Sequence, residues 1–418
     1  MRNIFYITTL LLLTLGPTVL NYLGWKIGFS NGPFYQKSYP AFWLLMLLFS
    51  WILTQKPKST LRYNRTEVNI FALCIIIILT MTALGYDSGL SIFSNSILLP
   101  VLLSISLTYF IAYKPTRTTT DIKTILLGFL ILNSGLAIAE RVLHTNFFPF
   151  TLALQDETVS IEYESIAEFR STALMGHPLS NALCTTVIMS FILISELPEK
   201  KKYALWLLGY VAILCFNARS SILAWGGFAG IYIMNRLWDR QYSVSKKIWL
   251  IALGAIGLLA ILYLIFNTGI GGRLLSMELF DNSGTSRLRI FEIFDYYSFG
   301  SFLFGGVSPE TMYIMANTVG LGHIENYWLI YIFRFGIIYT VILTILFYNL
   351  FKRYLTPYNK FQKIFVVLCF LLISSTNNSL AMGVPAISVF LLCAVAFGDS
   401  NMEYSGEIYE PTPYPLQN

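Results

Sequence analysis

The chain has 418 residues, 56% of them hydrophobic and 12% charged, with a formal net charge of +6. A soluble domain carries about 25% charged residues, so this composition excludes a water-facing surface over most of the chain. The positive balance does not mark a nucleic-acid-binding domain either, because the basic residues lie in short clusters between apolar runs.

A spanning helix needs about 20 mainly apolar residues. Runs such as 70–84 and 248–266 are almost continuously apolar, unlike the alternating segments of a membrane β-barrel. Apolar runs predict helices over 4–23, 41–54, 68–85, 96–113, 124–143, 180–195, 203–217, 220–234, 248–266, 326–350, 364–379 and 382–398. The first is longer than a signal-peptide core and lacks a small-residue cleavage site, so it is expected to be an uncleaved span. The expected fold is all-α, one polytopic transmembrane domain over 1–418 with about 12 transmembrane helices. Larger loops are expected at 144–179 and 267–325, and an acidic, proline-containing tail at 399–418. The five cysteines all fall in apolar stretches with no paired spacing, and are expected to pack inside helices.

Lysine and arginine are retained on the cytoplasmic side of short loops. Arg2 and the basic residues within 56–65, 114–123, 200–202, 236–247 and 352–363 place 19 of the 28 basic residues on one side. Both termini are therefore expected in the cytoplasm, and both large loops on the outer face. His144, His177 and His323 fall on that outer side.

Arg170, Arg219, Arg273, Arg287 and Arg289 stand on the outer side against this bias. Local pairing accounts for part of it. Arg170 follows Glu162, Glu164 and Glu168, and Arg289 precedes Glu292 by three residues, a spacing that pairs side chains on a helix. The sharper reading is that guanidinium groups grip phosphate in bidentate fashion, as a phosphate-bearing lipid headgroup at this face would require. Phe169-Arg-Ser-Thr-Ala-Leu-Met-Gly-His-Pro-Leu-Ser-Asn181 ends a hydrophilic loop and leads into a span, for which Ser180 and Asn181 are good N-caps. Asn217-Ala-Arg-Ser-Ser221 joins two spans by a very short turn that holds Arg219 at the membrane surface. Gly284-Thr-Ser-Arg-Leu-Arg-Ile-Phe-Glu292, Leu303-Phe-Gly-Gly-Val307 and Gly322-His-Ile-Glu-Asn-Tyr-Trp328 follow, the last running into Gly336.

In order, spacing and outer placement, these segments resemble the superfamily of Wzy O-antigen and polysaccharide polymerases and O-antigen ligases, over about residues 165–340. The resemblance implies a GT-C-like membrane glycosyltransferase of the bacterial inner membrane, acting at the periplasmic face without metal or other cofactor. It implies donor and acceptor glycans on undecaprenyl diphosphate as partners, with membrane lipids and a chain-length regulator, and no nucleic acid. An acceptor hydroxyl would attack the donor's anomeric carbon and the polyprenyl diphosphate would leave. Arg170, Arg219 and Arg287 match the family's arginine positions and would stabilise the departing charge. Arg289 and Arg273 are further candidates for the diphosphate or glycan, with His323, Asn326 and Tyr327.

Where the ligases of that superfamily carry a histidine, this chain has Glu325, which favours polymerase over ligase. Glu325 reads as a general base or acceptor-hydroxyl ligand, or as a cap for the following span. His177 reads as a base or as an orienting hydrogen-bond group. Asp281, Glu292 and Asp295 are reserve carboxylates. Arg334, inside a predicted span, implies a polar cavity or partner. Tyr296, Tyr297, Tyr327 and Trp328 suit either sugar stacking or core. Alternative readings are an O-antigen ligase that transfers glycan to lipid A core and, from another class, a lipid-linked oligosaccharide flippase.

Overall fold

The computed structural model describes residues 1–27, 32–55, 64–83, 93–148, 151–154, 157–160, 168–240, 242–268, 270, 289–296, 298–307, 309–320, 324, 326–376, 379–381 and 383–398. Each apolar run expected to span contains helix, although 364–379 is helical only to Ser375 and 382–398 only over Ala386–Ala396. In chain order the helices are α1 (Arg2–Thr14), α2 (Pro17–Tyr22), α3 (Phe34–Lys37), α4 (Pro40–Gln55), α5 (Arg65–Ala83) and α6 (Leu99–Tyr113), the last led in by a π-helical stretch, Phe93–Leu98. Next come α7 (Pro115–Leu143), α8 (Pro178–Ile194), α9 (Glu199–Phe216), α10 (Arg219–Trp238) and α11 (Val244–Thr268). A 3-10 turn, Ile290–Tyr296, precedes α12 (Phe299–Phe304), α13 (Pro309–Thr318), α14 (Tyr327–Tyr354), α15 (Lys360–Ser375) and α16 (Ala386–Ala396).

Among the described residues, five helical stretches are long and apolar enough to cross a bilayer: Arg65–Ala83, Phe93–Tyr113, Pro115–Leu143, Val244–Asn267 and Tyr327–Tyr354. Leucines, isoleucines and valines on several of them face outward, as lipid contact requires. The chain is a helical membrane protein. The expectation of helix alone needs one correction: Thr151–Leu154 and Glu157–Ser160 form a short antiparallel hairpin (β1, β2), with Leu154 opposite Glu157. The expected tail at 399–418 lies outside the described residues. All five cysteines are free and buried.

The first span, read as one helix, is two. Pro17 lacks an N–H and disfavours helical geometry in the residue before it, so α1 stops at Thr14 and α2 starts at Pro17. The released Gly16 N–H donates to the Leu174 carbonyl at 3.2 Å. Other boundaries follow familiar chemistry. Asn359 and Gln362 make a reciprocal capping box at the start of α15, and Asn217, in left-handed geometry (φ 52°), closes α9.

Bonds between helix ends sort the bundle into two faces. At one end Glu67 of α5, fully buried, makes a bidentate ion pair with Arg353 of α14. Ser104 of α6 joins it, accepting from Arg353 Nη2 at 3.0 Å, and the Tyr354 hydroxyl lies 2.9 Å from the same oxygen. Here too Lys202 Nζ donates to Ser195 O at 2.7 Å and Gln362 Nε2 to Ile194 O at 3.1 Å, fastening α9 and α15 to the end of α8. The lysine-rich turns lie at this end. Removal of one partner would leave a buried charge uncompensated, which makes the Glu67/Arg353 pair a stringent constraint on how α5, α6 and α14 meet.

Towards the other end α14 is broken. Gly336 has φ 80° and ψ 160° inside the helix, and Phe304-Gly305-Gly306-Val307 fills the break: Gly306 N–H donates to Arg334 O at 3.0 Å and Val307 N–H to Phe333 O at 3.1 Å. A Cβ on Gly336 would lie 2.2 Å from Leu303 O, and one on Gly305 (φ 78°) 2.4 Å from the Phe335 carbonyl carbon. Both positions therefore exclude a side chain, by conformation and by space. By contrast α11 packs chiefly on α10 along one narrow stripe that includes Leu250 and Ile265. Ile248, Trp249, Ile251, Ile256, Leu259 and Phe266 remain exposed.

Gly336→Ala and Gly305→Ala should each cost at least about 1–3 kcal/mol, lowering the melting temperature of the detergent-solubilised protein by several degrees. Gly128→Ala, where an added Cβ meets nothing within 4 Å, is the control and should melt as wild type.

Candidate functional site

The candidate residues gather at the end away from Glu67 and Arg353. Their centre is the segment leading into α8, which sequence reading places in a hydrophilic outer loop. The structure corrects this: Phe169 and all of 171–176 are buried. An irregular segment inside a membrane bundle must have its backbone bonded by the protein. Glu140, in the last turn of α7 and fully buried, accepts from the N–H groups of Thr172 (2.8 Å), Ala173 (3.0 Å) and Phe147 (2.9 Å). Asn133, two turns earlier on α7, accepts from Leu174 N–H at 3.1 Å through Oδ1. Asn181 Oδ1 accepts from Met175 N–H at 3.2 Å, and its amide donates to Thr172 O and, at 3.0 Å, to His177 O.

The carbonyl side is equally served. Arg141 Nη1 donates to Phe169 O at 2.8 Å, and the Thr18 hydroxyl to Gly176 O at 3.1 Å. Gly176 has φ 67°, and a Cβ there would lie 2.2 Å from Thr18, so the glycine of the Gly-His-Pro turn is dictated by the approach of α2.

This segment seats two arginines on one turn. Ser171 N–H donates to Cys215 O at 3.1 Å, Asn217 Nδ2 to Phe169 O at 3.4 Å, and Arg170 Nε to Phe216 O at 3.4 Å. Phe216 ends α9, Asn217 reverses the chain, and Arg219 is the first residue of α10. Arg170 and Arg219 are both half-buried at this junction. Guanidinium groups on so short a turn lose little freedom when they grip an oxyanion.

His177 is the N-cap of α8, its Nδ1 accepting from Leu179 N–H at 3.2 Å. The caps expected at Ser180 and Asn181 are corrected accordingly: Ser180 bonds Ser379, and Asn181 holds the buried segment. With Nδ1 committed as acceptor, the neutral ring carries its proton on Nε2 and acts as a donor, so the orienting reading fits better than the base. The cap of α14 is Asn326, whose Oδ1 accepts from Trp328 N–H (2.9 Å) and Leu329 N–H (3.4 Å). The cap that sequence reading assigned to Glu325 is thus supplied by its neighbour.

Tyr327 is buried, its ring 4.5 Å from that of Trp328 and 5.8 Å from that of Tyr331, a core position. Arg289 pairs with Glu292 at 3.5 Å, and its guanidinium lies beside Gly320. Both partners of that pair are about half exposed, which makes the interaction weak. Arg334 is buried where the strap fills the break in α14, Nη1 donating to Val307 O at 3.4 Å. Arg273, Arg287, His323, Glu325, Asp281 and Tyr297 lie outside the described residues. His144, left-handed at φ 52°, ends α7 with its ring edge-on to Phe169.

Sequence reading missed two elements. Asn133 and Glu140 were visible as polar residues seven apart on one face of an apolar run, where burial demands partners. The second is 375–380, counted as the end of a span although 374–379 is polar throughout.

Glu140→Ala removes the acceptor of two buried N–H groups, those of Thr172 and Ala173, each costing about 1–3 kcal/mol when unpaired, and of the part-buried Phe147 N–H. Amide exchange over 171–176 should accelerate at least about tenfold, with the Glu67 end unchanged; unaltered exchange over 171–176 would show that Glu140 does not hold the segment. Compared with protein-family models, curated proteins and solved structures, the chain matches none.

Proposed function

We propose that this chain is a polysaccharide polymerase, a membrane glycosyltransferase that joins oligosaccharide repeat units carried on undecaprenyl diphosphate at the periplasmic face of a bacterial inner membrane. About twelve helices cross the membrane, and the lysine-rich end with both termini faces the cytoplasm. The observation that carries the reading is the junction of Arg170 and Arg219: two arginines at the lysine-poor end, brought together where a buried, extensively bonded segment packs against one turn.

In the reaction an acceptor sugar hydroxyl attacks the anomeric carbon of the donor, forming the new glycosidic bond as the bond to the diphosphate oxygen breaks. Charge accumulates on the departing diphosphate, and Arg170, Arg219 and Arg287 stabilise it where it develops. Glu325, next to the cap of α14, takes the acceptor proton. His177, held through Nδ1, presents Nε2–H as a donor. Asn326, by capping α14, fixes where that helix starts, with Arg289, Arg273 and His323 as further glycan or diphosphate contacts. The product is an O-antigen, capsule or exopolysaccharide.

The break in α14 at Gly336 favours a second reading, since carriers of lipid-linked glycans use discontinuous helices. Here, however, the break is filled by the 304–307 strap, which bonds the Phe333 and Arg334 carbonyls.

Deletion of the gene and display of lipid-linked and surface glycans on gels separates these readings. Single repeat units on the surface lipid mark a polymerase, long chains retained on the polyprenyl carrier a ligase, and units trapped at the cytoplasmic face a flippase. In complementation, Arg170→Ala, Arg219→Ala and Arg287→Ala should each lower long-chain polymer by about 10²–10³ at equal protein level, as should Glu325→Gln by about 10²–10⁴. Arg289→Ala should stay within about fivefold of wild type, since its exposed pair is weak. Full polymer from the Arg170 and Arg219 variants would remove the junction from the site.

A further inference from the structure

Four hydrogen bonds reach Ser375, Thr376, Ser379 and Leu380, at the end of α15 and before α16. The Ser220 hydroxyl, next to Arg219, donates to Thr376 Oγ1 at 3.0 Å. Trp328 Nε1, two residues past the Asn326 cap, donates to Ser375 Oγ at 2.9 Å. Ser180 Oγ, one turn beyond the His177 cap, donates to Ser379 Oγ at 3.2 Å, and the Tyr331 hydroxyl donates to Leu380 O at 3.2 Å. Thr376 is itself anchored, its hydroxyl donating to Ile373 O at 2.8 Å. The first turns of α8, α10 and α14, which begin at His177, Arg219 and Asn326, are thus each tied to one short polar segment.

We infer that Ser375 and Thr376, with Ser379 and Leu380, are positioning residues, which set the spacing between the arginine junction at the start of α10 and the start of α14 and so make them one site. The inference rests on the proposed polymerase reading for its catalytic consequence, but its geometric claim stands apart from it. Helices crossing a bilayer gain little from apolar contact with one another, because lipid tails are as apolar as leucine; their relative heights are set by close contact and interhelical hydrogen bonds. At the start of α10 the bond to α15 is made by the residue beside Arg219. At the start of α14 it is made by the indole stacked on Tyr327. A group that holds diphosphate and a group that holds acceptor must agree in position to a fraction of an ångström, and a misplacement of about 1 Å costs about 10²-fold in rate. The hydroxyls of Ser220 and Thr376 touch neither reacting group; they act through the turns they join.

The test is a double-mutant cycle on Ser220 and Thr376 in the full-length protein, read in two ways. Spin labels at the exposed positions Leu223 on α10 and Ile338 on α14 report the distance between the two helices, and polymer synthesis from lipid-linked repeat units gives kcat and KM. Thr376→Val and Ser220→Ala should each shift or broaden the distance distribution and lower kcat by about tenfold or more, with KM for the donor nearly unchanged. Thr376→Ser should restore both, and the double variant should be no worse than either single one, because both substitutions remove the same bond. An unchanged distance distribution in both single variants, or a shifted distribution at full kcat, would overturn the positioning role. So would additive losses in the double variant. If Thr376→Val fails to fold, Ser220→Ala with Thr376→Ser carries the same comparison. If the wild-type protein makes no polymer, the polymerase reading fails, and the distance measurement alone still decides whether Ser375, Thr376, Ser379 and Leu380 set the spacing.

Discussion

A backbone N–H or C=O inside a bilayer has no water to turn to, and each one left unbonded costs several kcal/mol. Helices meet that requirement internally. The irregular segments meet it only by borrowing partners from their neighbours, and they thereby become the most constrained parts of the molecule. The 169–177 segment takes acceptors from Glu140, Asn133 and Asn181 and donors from Gly16, Thr18 and Arg141. The break at Gly336 takes its donors from Gly306 and Val307. In this sense the lipid, by supplying nothing, fixes where the arginine junction sits.

The two ends of the bundle use different polar chemistry. One is fastened by a fully buried carboxylate and its arginine, an arrangement that tolerates no missing partner. The other also carries a fully buried carboxylate, Glu140, but directs it to backbone N–H groups, and its remaining helix-to-helix bonds come from hydroxyls, amides and an indole, each worth about 1 kcal/mol.

Helix positions were legible because long apolar runs admit little else, and the junction at Arg219 was legible because so few residues separate two such runs. The Gly-His-Pro turn and the Phe-Gly-Gly-Val strap were legible as motifs, but not their causes. Gly176 exists because Thr18 approaches it, and Gly305 and Gly336 exist because their backbones touch across the broken helix. Each cause is a contact between residues far apart in the chain, which local pattern does not encode. The buried course of 169–177 was hidden for a related reason. Its serine, threonine and arginine look hydrophilic, while the residues that satisfy its backbone, Glu140 and Asn133, sit inside an apolar run that hydropathy averages away. The polar 374–379 stretch was absorbed into a span by the same averaging.

The peripheral placement of α11 carries a consequence of another kind. Lipid, more than protein, surrounds this helix, so its tilt answers to the thickness of the bilayer. The chain leaving its C-terminal end leads within five residues to Arg273 and later to Arg287. The height at which the chain departs from Thr268 therefore answers to acyl-chain length, and membrane composition becomes a variable of the geometry at that end of the bundle.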